Sequence, residues 1–281
     1  MTPVSDAKQP TLIDREPLTA ALFEEWDILD GLLAGLTDQQ WSSPTPLPGW
    51  TVHDVVAHLI GIESMLSDVE PPLAADEVPD SPHVHNPIGA FNERWVTGLR
   101  SHSHAQVLSG FRDIVRTRRA ALSAMTQDDF DAPSMTPVGP DSYGRFMRTR
   151  LFDCWFHEHD IRDAVGLPGE EGGPRAEYSF AELVGGLGFA VGKKGGAPQG
   201  STVTFALTGP LARDIHIAVH GRAAVVPTLD APATTTLRLD SRLFTRLCGG
   251  RVSAADHAAE IEVLGDEALG RKIAANLAFT I

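Results

Sequence analysis

The chain has 281 residues, which at ~150 residues per domain points to about two domains. Its 37 acidic and 23 basic side chains give a formal net charge of −14, a balance that argues against nucleic acid or an anionic membrane surface as partner, since both need clustered Lys and Arg. With 42% hydrophobic and 21% charged residues the composition suits a globular protein able to bury a core, and no apolar run approaches the ~18 residues of a membrane span.

The first ten residues, MTPVSDAKQP, lack the basic start and apolar stretch of a secretion signal. Two distant cysteines, Cys154 and Cys248, make no disulfide framework and fit a reducing, cytoplasmic setting. In chain order, residues 16–36 read as an amphipathic helix, with Leu18, Leu22, Trp26, Leu29, Leu33 and Leu36 at spacings of three and four. The breaker-rich stretch SSPTPLPGW follows. A second helix is expected to start at Thr51, an N-cap with Asp54 three residues on, and to run through Val55, His58, Leu59, Ile62 and Met65. Residues 68–87 are proline-rich and read as a long loop. A third helix is expected from about Pro87 to about Met125, residues 126–141 are turn-rich, and a fourth helix spans Ser142 to about Val165, stopping at Gly166-Leu167-Pro168-Gly169. Four helices and no credible strand over this half predict a helix bundle.

The pattern then changes. EGGPR at 171–175 reads as a linker and 176–191 as a helix. Beyond it the period becomes two: Val203, Phe205 and Leu207 alternate, as do Ile215, Ile217 and Val219, with His220-Gly221-Arg222 as a tight hairpin connection to Ala223–Val226. Leu237 and Leu239 continue the alternation, Ile261-Glu262-Val263 is a short strand, and helical spacing returns at 241–248 and 266–278. The expected class is α+β in two domains, a helix bundle over 11–168 and a smaller α+β domain over 176–281.

The densest chemistry lies on the fourth helix, in RLFDCWFHEHDIR at 150–162. Asp153 and His157 are four apart and share a face, ~6 Å apart along the axis, where a carboxylate and an imidazole can share one metal ion. His159 should point to nearly the opposite side. Arg150 and Asp160 flank the Asp153–His157 face, and Asp160 can orient a ligand imidazole by accepting its second N–H. Such a pair alone is a weak signal. His58 lies on an apolar stripe with Val55, Leu59 and Ile62, where a lone histidine is more often a hydrogen-bonded core residue than a ligand.

PTPLPGWTVHDVVAHL, followed downstream by FDCWFHEHDIRDAVGLPG, closely resembles the mycothiol-dependent maleylpyruvate isomerase family. ATTTLRLDSRLFTRLCGGR, continuing into IEVLGDEALGRKIAANLAF, is similar to that family's C-terminal domain. The resemblance implies a DinB-like four-helix bundle followed by a small sterol-carrier-like α+β domain. It implies a divalent metal, usually zinc, held at positions matching His58, Asp153 and His157; the family often has Glu where this chain has Asp153, one methylene shorter. An oxygen and imidazole donor set with an open position describes a catalytic zinc site. The open position takes water or the sulfur of a low-molecular-weight thiol, mycothiol, whose thiolate the metal favours. Two chemistries follow from the resemblance, isomerisation by reversible thiol addition and thiol S-transfer, both needing cationic groups against developing negative charge. Arg150 and Arg251 are the candidate catalytic residues, Arg251 by its match to a recurrent basic position, and Asp160 the candidate cofactor-orienting residue.

Alternatives stand beside each of these. A metal-dependent hydrolase and a non-catalytic ligand- or thiol-binding protein are the competing functions, with a monomer or homodimer expected. Against the favoured metal site, His58, Asp153 and His157 can form a vestigial or structural cluster, Asp160 can pair with Arg162 or a backbone group, Arg150 can be an exposed helix charge and Arg251 a surface or structural arginine. Trp50 is expected to anchor the helix start, and Trp155 and Phe156 to face the core. The H-x-H pairs at His83/His85 and His102/His104 are expected to be solvated. Cys154 reads as a packing residue; Cys248, beside Gly249-Gly250, reads as the more reactive thiol but without a base to make it a nucleophile.

Overall fold

The computed structural model describes residues 9–82 and 84–280. The start of the chain, on which most of the secretion-signal reading rests, and His83 lie outside the described residues. The chain divides into two compact units, one ending at Gly169 and the other beginning at Glu170.

Four long helices build the core of the first unit: α1 (Arg15–Ala34), α3 (Val52–Met65), α5 (His104–Ala124) and α7 (Tyr143–Val165). Shorter helices α2 (Asp38–Trp41), α4 (Pro87–Leu99) and α6 (Gln127–Asp131) complete it. Within the bundle, α1 packs on α5 and α7, and α3 packs on α4, α5 and α7. Leu18, Leu22, Trp26, Leu29 and Leu33 form the buried stripe of α1, each such side chain worth roughly 1.5–3 kcal/mol when removed from water.

The start of α3 is fixed by a reciprocal cap. The Asp54 N–H donates to the Thr51 hydroxyl and the Thr51 N–H donates to the Asp54 carboxylate at 2.9 Å, satisfying two donors that the helix itself leaves open. From Val52 to Ser64 every residue of α3 is buried, so this helix is the central one. Ser142 caps α7 by accepting the Arg145 N–H at 3.0 Å, and Gly166 ends it in the left-handed conformation, φ 67°.

Two expectations for this unit need correction. The single helix over 87–125 is two helices, because Ser103 and Gln106 form a capping box that begins α5 afresh after the turn at 100–103. Strands also occur here. Residues Pro133–Thr136 (β1) and Gly139–Ser142 (β2) pair antiparallel around Pro137 and Val138, with Gly139 at φ 103°, a backbone open to glycine. The short α2 falls between the expected first helix and the breaker-rich stretch from Ser42, and α6 in a stretch read as turn-rich; each begins with a Thr cap, Thr37 and Thr126.

The second unit is a five-stranded sheet with helices. Its strands are β3 (Thr202–Thr208), β4 (Arg213–His220), β5 (Arg222–Val226), β6 (Thr235–Asp240) and β7 (Glu262–Gly265), in the order β5-β4-β3-β6-β7. β3 and β6 are parallel, with Phe205 opposite Leu237, and the other pairs are antiparallel. The β4–β5 connection turns at Gly221, φ 71°. Helices α8 (Gly173–Phe189), α9 (Ser241–Cys248) and α10 (Glu267–Ala274) cover the sheet, and Phe244 packs against Phe180 and Phe205 at ring distances of 5.9 and 5.2 Å. The expected linker at 171–175 is instead built in: Glu171 is buried and takes both Arg246 terminal nitrogens at 2.6 and 3.0 Å, while Pro174 sits in the first turn of α8. No helix among the described residues is long and apolar enough to cross a membrane.

Candidate metal centre

α3 presents His58 toward α7, and α7 presents Asp153 and His157 one turn apart. The three offer donor atoms that all lie within 4.8 Å of one another. His58 Nε2 is 3.2 Å from Asp153 Oδ2, and His157 Nε2 is 3.6 Å from Asp153 Oδ1. The two imidazole rings meet edge to face at 4.9 Å. Donors about 2.0–2.1 Å from a common tetrahedral ion stand ~3.3 Å apart, so these spacings suit a shared divalent cation. The helical repeat places Asp153 and His157; the interhelical contact adds His58.

The surroundings fix each donor. Both histidines are buried, at 5% and 6% exposure, while 27% of the Asp153 side chain reaches solvent. His157 Nδ1 is 2.9 Å from Asp160 Oδ2. A carboxylate there accepts the Nδ1 proton and leaves the Nε2 lone pair facing the cluster. Trp50 stands over His58 at a ring distance of 5.3 Å, and its indole N–H donates to Glu93 at 2.8 Å. Trp50 thus both anchors the entry to α3 and walls the cluster. His58 Nδ1 is buried with no hydrogen-bond partner among the described residues.

Burial pushes the His58 pKa down, against the pull of Asp153, so its neutral, ligand-competent form persists at neutral pH. Burial alone would raise Asp153, but Arg150, then His58 and His157, outweigh it and hold the carboxyl well below its usual range. Asp153 is therefore ionised.

Arg150 is not a surface charge. It is 3% exposed, with Nη1 donating to Asp153 Oδ2 at 2.7 Å and Nε donating to Glu63 Oε1 at 3.0 Å. Burial would lower its pKa, yet Glu63 and Asp153 more than reverse this and keep it charged. Glu63 also accepts from Arg118 at 3.0 Å, and Arg118 in turn donates to the Tyr143 hydroxyl at 3.1 Å. Glu63 and Arg118 escaped the sequence reading. The one available signal was Glu63 itself, an acidic residue at the end of an otherwise apolar helix stripe.

Other expected residues fall elsewhere. His159 packs its ring against Trp155 at 4.7 Å, outside the cluster. Trp155 and Phe156 are buried, as expected. His85 and His102 are exposed, whereas His104 departs from the solvated reading by stacking on Trp41 at 5.3 Å. Arg251 belongs to the second unit, half-buried, with Nη1 donating to its own loop at the Gly249 carbonyl, 2.6 Å away. Cys154 and Cys248 are both buried, and burial pushes both thiols up. The more reactive reading of Cys248 is therefore overturned.

Comparison with known proteins accords with this geometry. Residues 22–162 match the model of the mycothiol maleylpyruvate isomerase N-terminal domain, and residues 181–271 match that family's C-terminal domain. Crystal structures of the mycothiol-dependent maleylpyruvate isomerase, native and as a point mutant, share the fold, with TM-scores of 0.58 and 0.59 at 16% and 15% identity. Each alignment covers 89% of this chain and 93% of that one. Uncharacterized proteins from two Mycobacterium tuberculosis strains are 30% identical over 157 residues, 56% of this chain; the chain thus spans 59% of the length of these curated relatives. With its first family model spanning half the sequence and the second following in the same order, the chain belongs to the mycothiol-dependent maleylpyruvate isomerase family.

Proposed function

We propose that this protein is a mycothiol-dependent metalloenzyme of isomerase or S-transferase type, with His58, Asp153 and His157 as ligands of a divalent cation such as zinc. The observation that carries the reading is the convergence of two buried imidazoles and one ionised carboxylate from separate helices. A cation bound there would supply Lewis acidity that favours thiolate over thiol near neutral pH.

The protein's own groups do the rest. Asp160 orients His157, Arg150 orients Asp153, and Trp50 limits water on the His58 side. Asp153, the half-buried member, marks the side from which a thiol and a small electrophile approach. Arg150 has both neighbouring carboxylates as partners, so its role is to orient Asp153 rather than to neutralise charge developing on substrate. Arg251 we assign to recognition of an anionic substrate group.

Metal quantification on the purified protein tests the reading, with about one equivalent of divalent metal expected. Mass spectrometry after incubation with mycothiol and electrophiles then separates the chemistries: a stable conjugate identifies a transferase, and turnover with the thiol recovered identifies an isomerase. A metal-free protein that binds none on titration would overturn both.

A further inference from the structure

Arg150 is positioned between two carboxylates, and the partition of its nitrogens is unequal. Nε donates to Glu63 Oε1 at 3.0 Å, Nη1 donates to Asp153 Oδ2 at 2.7 Å, and Nη2 faces the Cys154 sulfur at 3.8 Å. Asp153 thus receives one guanidinium nitrogen, on Oδ2. Its Oδ1 is turned to His157. Left to itself, an Arg–carboxylate pair prefers the two-pronged geometry in which both oxygens are occupied. Glu63 takes Nε and so sets the rotation of the guanidinium, which leaves Nη2 on the Cys154 sulfur rather than on Asp153. Glu63 is in turn held by Arg118, whose remaining donors reach the Leu66 carbonyl and the Tyr143 hydroxyl. Glu63, Arg118 and Arg150 are 1%, 3% and 3% exposed, so water does not substitute for a missing partner.

We propose that Glu63 is a positioning residue that holds Arg150 to a single contact with Asp153 and so keeps the second carboxylate oxygen available beside the two imidazoles. The proposal rests on the reading of His58, Asp153 and His157 as metal ligands. Without the Glu63 charge, Asp153 is the carboxylate left to Arg150 among the described residues, and Arg150 then closes on both its oxygens and competes with the cation.

The test is titration of the full-length, metal-free protein with Co²⁺ alone, read by visible absorption and calorimetry. Wild type is expected to take up one equivalent and His157→Ala none. Glu63→Gln is expected to bind at least tenfold more weakly, and Glu63→Asp, which keeps the charge but withdraws it from Arg150, to fall between. Removing a buried ionic partner also destabilises, so Leu122→Ala, a cavity variant at a fully buried site on α5, serves as the control. It should lower the Tm and leave Co²⁺ affinity within twofold of wild type. If Glu63→Gln does not fold, Glu63→Asp carries the test. Wild-type affinity in the Glu63 variants that fold overturns the proposal, as does a loss in Leu122→Ala proportionate to its Tm. Failure of wild type itself to bind Co²⁺ is a distinct result: it removes the metal reading on which the proposal stands.

Discussion

Helix α3 carries two buried histidines with different fates. His53 places Nε2 3.0 Å from the Leu99 carbonyl, which only accepts, so that nitrogen carries the proton. Its ring lies edge-on to His104 at 5.5 Å and to Trp41 at 6.3 Å. The carboxylate in that group, Asp38, bonds His104 and is 96% exposed. His58 instead aims Nε2 at a carboxylate and at a second imidazole backed by Asp160. Burial and clustered histidines are common to both groups. What distinguishes them is whether a partly buried, ionised carboxylate and a second imidazole stand beside the ring.

That contrast can be broken most sharply by removing one histidine from each group. His157→Ala should abolish metal binding and activity with the helical circular dichroism intact. His53→Ala should keep full metal content while losing about 0.5–1.5 kcal/mol of stability, the net worth of a hydrogen bond to the Leu99 carbonyl, which still accepts from the His102 N–H at 2.9 Å. Metal analysis and thermal melts of both variants decide the matter, and metal loss in the second would erase the distinction. Next in size, Asp160→Asn should weaken metal affinity by about 10–100-fold, the usual cost of losing the group that orients a ligand imidazole; a competition titration with a chromophoric chelator measures it.

Two smaller effects sharpen the contrast from outside the cluster. Raised thiol pKa values mean that Cys154 and Cys248 stay protonated at pH values where an exposed cysteine has begun to ionise. Iodoacetamide at pH 9 should therefore label neither in the native protein and both in denaturant, by peptide mass analysis. Arg251→Ala should raise KM for a carboxylated substrate by roughly two- to fivefold, the range of a solvent-accessible ion pair, with kcat nearly unchanged in steady-state kinetics.

The sequence made the start of α3 and both ends of α7 legible because caps are local: Thr51 with Asp54, Ser142 with Arg145, and Gly166 with Arg162 involve groups only a few residues apart. The same locality makes Asp153, His157 and Asp160 readable as one face. His58 became readable through the resemblance, since nothing on its own helix distinguishes it from His53. The break at 100–103 was also written locally, in Ser103 and Gln106, but the helical spacing on either side masked it. Glu63 and Arg118 were not legible, because their partners lie on other helices and a buried ion network has no sequence period. The fate of Cys248 likewise depended on sheet and helix packing, not on the adjacent glycines.

Two of the three candidate ligands, Asp153 and His157, ride on one capped, uninterrupted helix, so their mutual geometry is set by a single backbone. His58 alone belongs to another element. The donor set therefore has one adjustable dimension, the seam between α3 and α7. Exchanging a side chain in that seam for a larger or smaller one would slide one imidazole against a fixed pair, so under the proposed metal reading ion preference would drift through hydrocarbon packing while all three candidate ligands stay the same.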